Sequence, residues 1–172
     1  MNYIAKTTIL LLSTFILFSA CKKDDPIYED ENELIQVVKI EFTDSSTQET
    51  YTWKDGKSDT IQLTRNQEYA VLVSFYNLDK NQNEINITDE IIEDSDAHQV
   101  FYTSDPSSLL SVTYEDKDDR DFPIGIQTSM TTSNSAQEGK LRIVLKHYSD
   151  KKDGLSTSGS TDIDVKFVVN IQ

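Results

Sequence analysis

The chain has 172 residues, 30 of them acidic and 16 basic, for a net charge of −14 and a mean hydropathy of −0.49. So acidic a surface repels nucleic acid and anionic lipid headgroups, and excludes both as partners recognised by charge. One cysteine rules out an internal disulfide, and five glycines leave little from which to build a phosphate-cradling loop.

In chain order, the first feature is the uncharged run ILLLSTFILF at residues 9–18, with Lys6 before it and Ser19 and Ala20 after it. Basic, then apolar, then small is the order of a signal peptide, which predicts removal of residues 1–20. The run is shorter than the roughly 20 apolar residues that a spanning helix needs. Residues 18–21, FSAC, resemble the lipobox of bacterial lipoproteins, departing from it at Phe18, where leucine is most usual. The resemblance implies that Cys21 is lipidated and opens the mature chain, and two or more acyl chains on it make a lasting membrane anchor. Residues 22–33, KKDDPIYEDENE, carry six carboxylates and little to bury, and read as a flexible, acidic tether. Lys22 and Lys23 before Asp24 and Asp25 resemble the short basic-then-acidic surface-export signals of Bacteroidetes lipoproteins. That implies the outer face of the outer membrane; a plain hydrophilic spacer has much the same composition.

Residues 34–172 are expected to form one all-β domain. Val38, Ile40 and Phe42 alternate with Lys39 and Glu41, the period of a half-buried strand. Short strands at 49–53 and 60–64 follow, with Asp55-Gly56 as a turn signal between them. Residues 68–78, EYAVLVSFYNL, are apolar on both phases and predict a central strand. Thr88 suits the N-cap of a short helix over 89–94. Further strands are expected around Leu110, Val112 and Tyr114, around Ile124, Ile126 and Met130, and around Leu141, Ile143 and Leu145. In the last strand Ile163, Val165, Phe167, Val169 and Ile171 take one face, and Asp162, Asp164, Lys166, Asn170 and Gln172 the other. The sum is an immunoglobulin-like antiparallel β-sandwich of about seven or eight strands, with a small barrel as the alternative architecture. Residues 85–98 and 133–138 resist a strand reading.

The sequence contains no HExxH, GxSxG or Walker glycine loop, and the domain is expected not to be an enzyme. His98 follows Asp94 and Asp96, so it can be read as a metal ligand beside carboxylates or as a packed residue at a strand junction. His147 continues the inward phase of Leu141, Ile143 and Leu145 and should point to the core side. Were the two imidazoles to meet, they would hold a divalent metal or haem; no cofactor follows from spacing alone. Residues 115–121, EDKDDRD, read as calcium-like carboxylate density or as a solvated hairpin tip.

Residues 88–102 (TDEIIEDSDAHQVFY), 121–132, 141–154 and 161–172 resemble a family of small Bacteroidetes outer-membrane or surface lipoproteins. The family has no established activity, so the resemblance implies location and carries over no functional residue. The functions expected are a binding or accessory subunit of an envelope complex such as a transporter, a metal or haem capture module, or a structural envelope protein. The partners expected are the membrane, through the lipid on Cys21, and an outer-membrane protein complex.

Overall fold

A computed structural model describes residues 34–149 and 151–172. The apolar leader, Cys21 and the acidic tether lie outside the described residues. Those described form eleven strands and one short helix: β1 (Val37–Thr43), β2 (Gln48–Lys54), β3 (Lys57–Ser58), β4 (Thr60–Leu63), β5 (Glu68–Leu78), β6 (Glu84–Asn86), α1 (Thr88–Glu93), β7 (His98–Asp105), β8 (Leu110–Tyr114), β9 (Gln127–Thr132), β10 (Gln137–His147) and β11 (Ser160–Ile171).

The strands lie in two sheets. One has the order β3-β2-β1-β5-β9-β8, with β6 pairing beyond β9 on β5; the other is β4-β11-β10-β7. The inward residues of both sheets meet in one apolar cluster. It includes Ile40 and Phe42 of β1, Val73 and Phe75 of β5, Leu141, Ile143 and Leu145 of β10, and Val165, Phe167 and Val169 of β11. This is an all-β fold whose two facing layers are consistent with a sandwich. It is not wholly antiparallel, because β4 runs parallel to β11.

Eight strands match runs of period two, and β5 is interior to its sheet. Its second phase faces outward, with Leu72 39% exposed, so that strand's continuous apolar run does not mean burial on both sides. Three strands are additions. β3 and β6 have two and three residues, too short for any period to show. β7 reads HQVFYTSD and lacks clean alternation, since it starts with three successive buried residues. Ile124 and Ile126 precede β9 instead of lying in it, yet Ile124 O accepts from Val100 N and Ile126 O from Val73 N. The expected turn is present, with positive φ at both Asp55 and Gly56, but it joins β2 to β3; the strand expected to follow it, β4, crosses to the other sheet beside β11.

The helix starts one residue before the range expected, and its N-cap is Ile87, with no side-chain cap bond. Thr88 is buried, and its hydroxyl accepts from Phe75 N at 2.9 Å, which ties α1 to β5. That sheet bond replaces the cap that the sequence suggested.

Gly125 shows where the loop before β9 presses on β7. It has φ +88°, and a Cβ built there would stand 2.6 Å from Val100 O. Gly125→Ala combines a left-handed backbone with a clash against main chain, and is expected to cost about 2 kcal/mol in urea unfolding. No loss of stability would mean that the loop moves freely off β7.

Candidate metal centre

β7 begins where β10 ends. In their antiparallel register His98 lies directly opposite His147, Val100 opposite Leu145, and Tyr102 opposite Ile143. Opposed residues of such a pair share a face, with Cβ atoms about 4.5–5.5 Å apart. Both imidazoles therefore turn inward, and their ring centroids stand 4.6 Å apart with planes tilted by 56°. The sequence expectation that His147 keeps the inward phase of β10 holds.

The third member is Asp162 of β11. Strict alternation puts it on the outer face with Asp164 and Lys166, and the structure corrects this. Leu145 pairs with Ile163 but Lys146 pairs with Thr161, so Asp162 is an extra residue, a β-bulge without an opposite. A bulge re-aims a side chain and leaves the ladder on either side in step. Here it turns the carboxylate to the side where the histidines lie, and the Asp162 side chain is 0% exposed. His98 Nε2 is 3.9 Å from Asp162 Oδ2, and one ligand atom from each of the three residues falls within 4.8 Å of the others.

The His98 ring is prepared for ligation. Its Nδ1 lies 3.1 Å from Asp94 O, an acceptor that fixes the proton on Nδ1 and leaves the Nε2 lone pair for the cluster. Burial, helped by nearby His147, holds the His98 pKa below its ordinary value against the opposing pull of the Asp94 carbonyl. The ring is thus neutral near pH 7, the form that binds a metal. His98 Nε2 and His147 Nδ1 are both buried and have no hydrogen-bond partner among the described residues. Buried polar atoms in that condition are uncommon and call for an explanation.

The other two candidate residues act differently. Asp94 contributes its main-chain carbonyl, and Asp96 offers its own carbonyl to Arg120 Nη2 at 2.7 Å. Neither belongs to the three-residue cluster.

Below the cluster lies an ion pair that sequence reasoning missed. Lys152 is 1% exposed; its Nζ is 2.9 Å from Asp118 Oδ2 and donates to Ser95 O at 2.8 Å, His98 O at 2.9 Å and Pro123 O at 3.1 Å. Burial draws the Lys152 amine below its usual pKa, against the pull of Asp118. Burial raises Asp118 in turn, but Lys152 and the N–H groups of Arg120 and Phe122 outweigh it and hold the carboxyl low. Residues 115–121 are therefore no simple solvated tip: Asp118 is buried, and Asp116 accepts from Gly125 N and Gln127 N. The loop after β10 also needs Gly159, whose φ is +69° and whose Cβ position lies 2.4 Å from His147 O. No side chain fits between that turn and the His147 main chain.

Two imidazoles and a carboxylate form a donor set for a transition metal of the zinc type, whereas calcium and magnesium prefer all-oxygen shells. Around a tetrahedral ion with bonds of about 2.0–2.1 Å, ligand atoms stand about 3.3 Å apart. The His98–Asp162 separation of 3.9 Å needs a closure of about 0.6 Å to reach that, and a separation at the 4.8 Å limit of the set about 1.5 Å, which side-chain rotation supplies. Haem fits poorly. Imidazoles whose centroids are 4.6 Å apart are in contact and leave no slot for a macrocycle.

No family model matches the chain, and neither does any curated protein or solved structure. The description therefore rests on fold and site: a mostly β domain, without a helix able to cross a membrane among the described residues and compatible with a binding or accessory role. Its described residues assemble no catalytic triad.

Proposed function

We propose that this chain is a lipid-anchored envelope protein whose domain captures a divalent transition metal at His98, His147 and Asp162. One observation carries the reading: two buried imidazole nitrogens, without hydrogen-bond partners among the described residues, lie with a buried carboxylate where paired strands end. The anchor part rests on the signal-like run at 9–18 and on Cys21, and the location on the outer membrane on Lys22 to Asp25 and the lipoprotein resemblance. The scaffold is read as an immunoglobulin-like sandwich that sets the three strand ends in place. Metal capture ranks above an accessory role because the convergence it requires is present, whereas single exposed apolar residues such as Leu34 and Leu155 are ordinary on a surface.

Titration calorimetry of the chelator-treated protein with zinc tests the reading. One ion per chain is expected, with His98→Ala and His147→Ala each weakening it more than about 100-fold, beyond what outer-shell changes cost. Absence of binding, or binding indifferent to both substitutions, would overturn it. An envelope protein that co-purifies equally with wild type and both variants would restore the accessory role.

A further inference from the structure

The three residues of the cluster differ in access. The side chains of His98 and Asp162 are 2% and 0% exposed, whereas His147 is half-buried and lines a surface depression of about 480 Å³. The remaining walls include Asp96, Arg120, Tyr148, Ser149 and Lys151. Solvent thus meets the cluster from the His147 side.

The described residues supply three ligands. A zinc-type ion with three protein ligands keeps a position for an external one, while closed structural sites supply four. With Asp162 as the one carboxylate ligand among the described residues, an ion of charge two keeps a net positive charge, which dominates the local field. Two cationic side chains stand in the same depression, in a chain whose net charge is −14. Arg120 is fixed there: its Nη2 donates to Asp96 O at 2.7 Å, its Nη1 to Lys152 O at 3.3 Å, and its guanidinium lies 5.5 Å from the Phe122 ring centre. Among the described residues that line the depression, Asp96 is the one carboxylate facing Arg120 and Lys151, and Asp118 Oδ2 lies 3.9 Å from Arg120 Nη2 behind it.

We propose that the bound ion turns one coordination position toward this depression and fills it with a small anionic oxygen donor from outside the chain. The inference rests on the metal reading above and adds to it the class of co-ligand. Metal and anion then bind together: the ion is seized by β7, β10 and β11, and the anion by the ion together with Arg120 and Lys151. A volume of about 480 Å³ suits a ligand of a few heavy atoms to a small chelate.

The test replaces zinc with Co(II), whose visible bands report coordination, and titrates acetate into the loaded full-length protein. Saturable movement of the bands is expected, with the acetate affinity at least about fivefold weaker in Lys151→Glu, which removes one exposed attraction and adds one repulsion. If Co(II) binds but acetate leaves its bands unmoved, the open position is refuted and metal capture stands. If acetate acts equally on wild type and Lys151→Glu, the position is open but the depression does not select anions, and that part falls. If Co(II) does not bind, both readings fall together.

Discussion

Lys152→Met is expected to destabilise the domain by about 3–5 kcal/mol, the cost of removing one partner from a buried ion pair. The ammonium meets four oxygens from three segments: Ser95 O and His98 O before and at the start of β7, Pro123 O before β9, and Asp118 Oδ2. Methionine fills much of the same volume but donates nothing. It would leave a buried carboxylate and three carbonyls without their common donor. Asp118 would keep the N–H groups of Arg120 and Phe122, so the loop at 115–126 should loosen before the sheets separate. Adding Asp118→Asn to Lys152→Met removes the stranded charge and should recover part of the loss, but not the part due to the carbonyls. Urea unfolding of the metal-free variants measures this. A loss below about 1 kcal/mol for Lys152→Met would show that water satisfies these oxygens and that the pair braces nothing.

How much of this could be read from the sequence depends on which interactions are local. The alternation of Val38, Ile40 and Phe42 in β1, and of Val165, Phe167 and Val169 in β11, is a local signal with one solution, and the burial agrees. His147 belongs to such a signal, since it extends the phase of Leu141, Ile143 and Leu145. His98 was identifiable as a candidate but not as the partner of His147, because register between residues 49 positions apart in sequence is set by tertiary pairing. Asp162 was placed on the wrong face for a definite reason. A bulge is a one-residue exception to period two, and nothing in STDIDV distinguishes it from regular strand. Lys152 gave no signal at all. In KKDG it reads as a turn lysine, and only the assembled loops show that its amine ends among buried oxygens.

Deleting Asp162 should weaken zinc binding as severely as losing either histidine while keeping both sheets. A deletion inside a strand ordinarily flips all residues on one side of it to the other face. This one differs because Asp162 has no opposite residue: Ile163 already pairs with Leu145, and Thr161 with Lys146. Closing the gap leaves Thr161 outward, where its Oγ1 accepts from Lys146 Nζ at 2.9 Å, and leaves Ser160 opposite His147. The ladder becomes regular, and the metal-free protein should stay within about 1 kcal/mol of wild type, since a buried carboxylate leaves with the bulge. Zinc affinity should fall more than about 100-fold, because an inner ligand is lost. Asp162→Asn keeps the bulge and removes the charge, and should also lose zinc, with β11 unaltered. If the deletion variant unfolds while Asp162→Asn retains wild-type zinc affinity, the bulge serves packing and Asp162 is no ligand. If the deletion variant folds and still binds zinc as tightly, the two histidines hold the ion without this carboxylate.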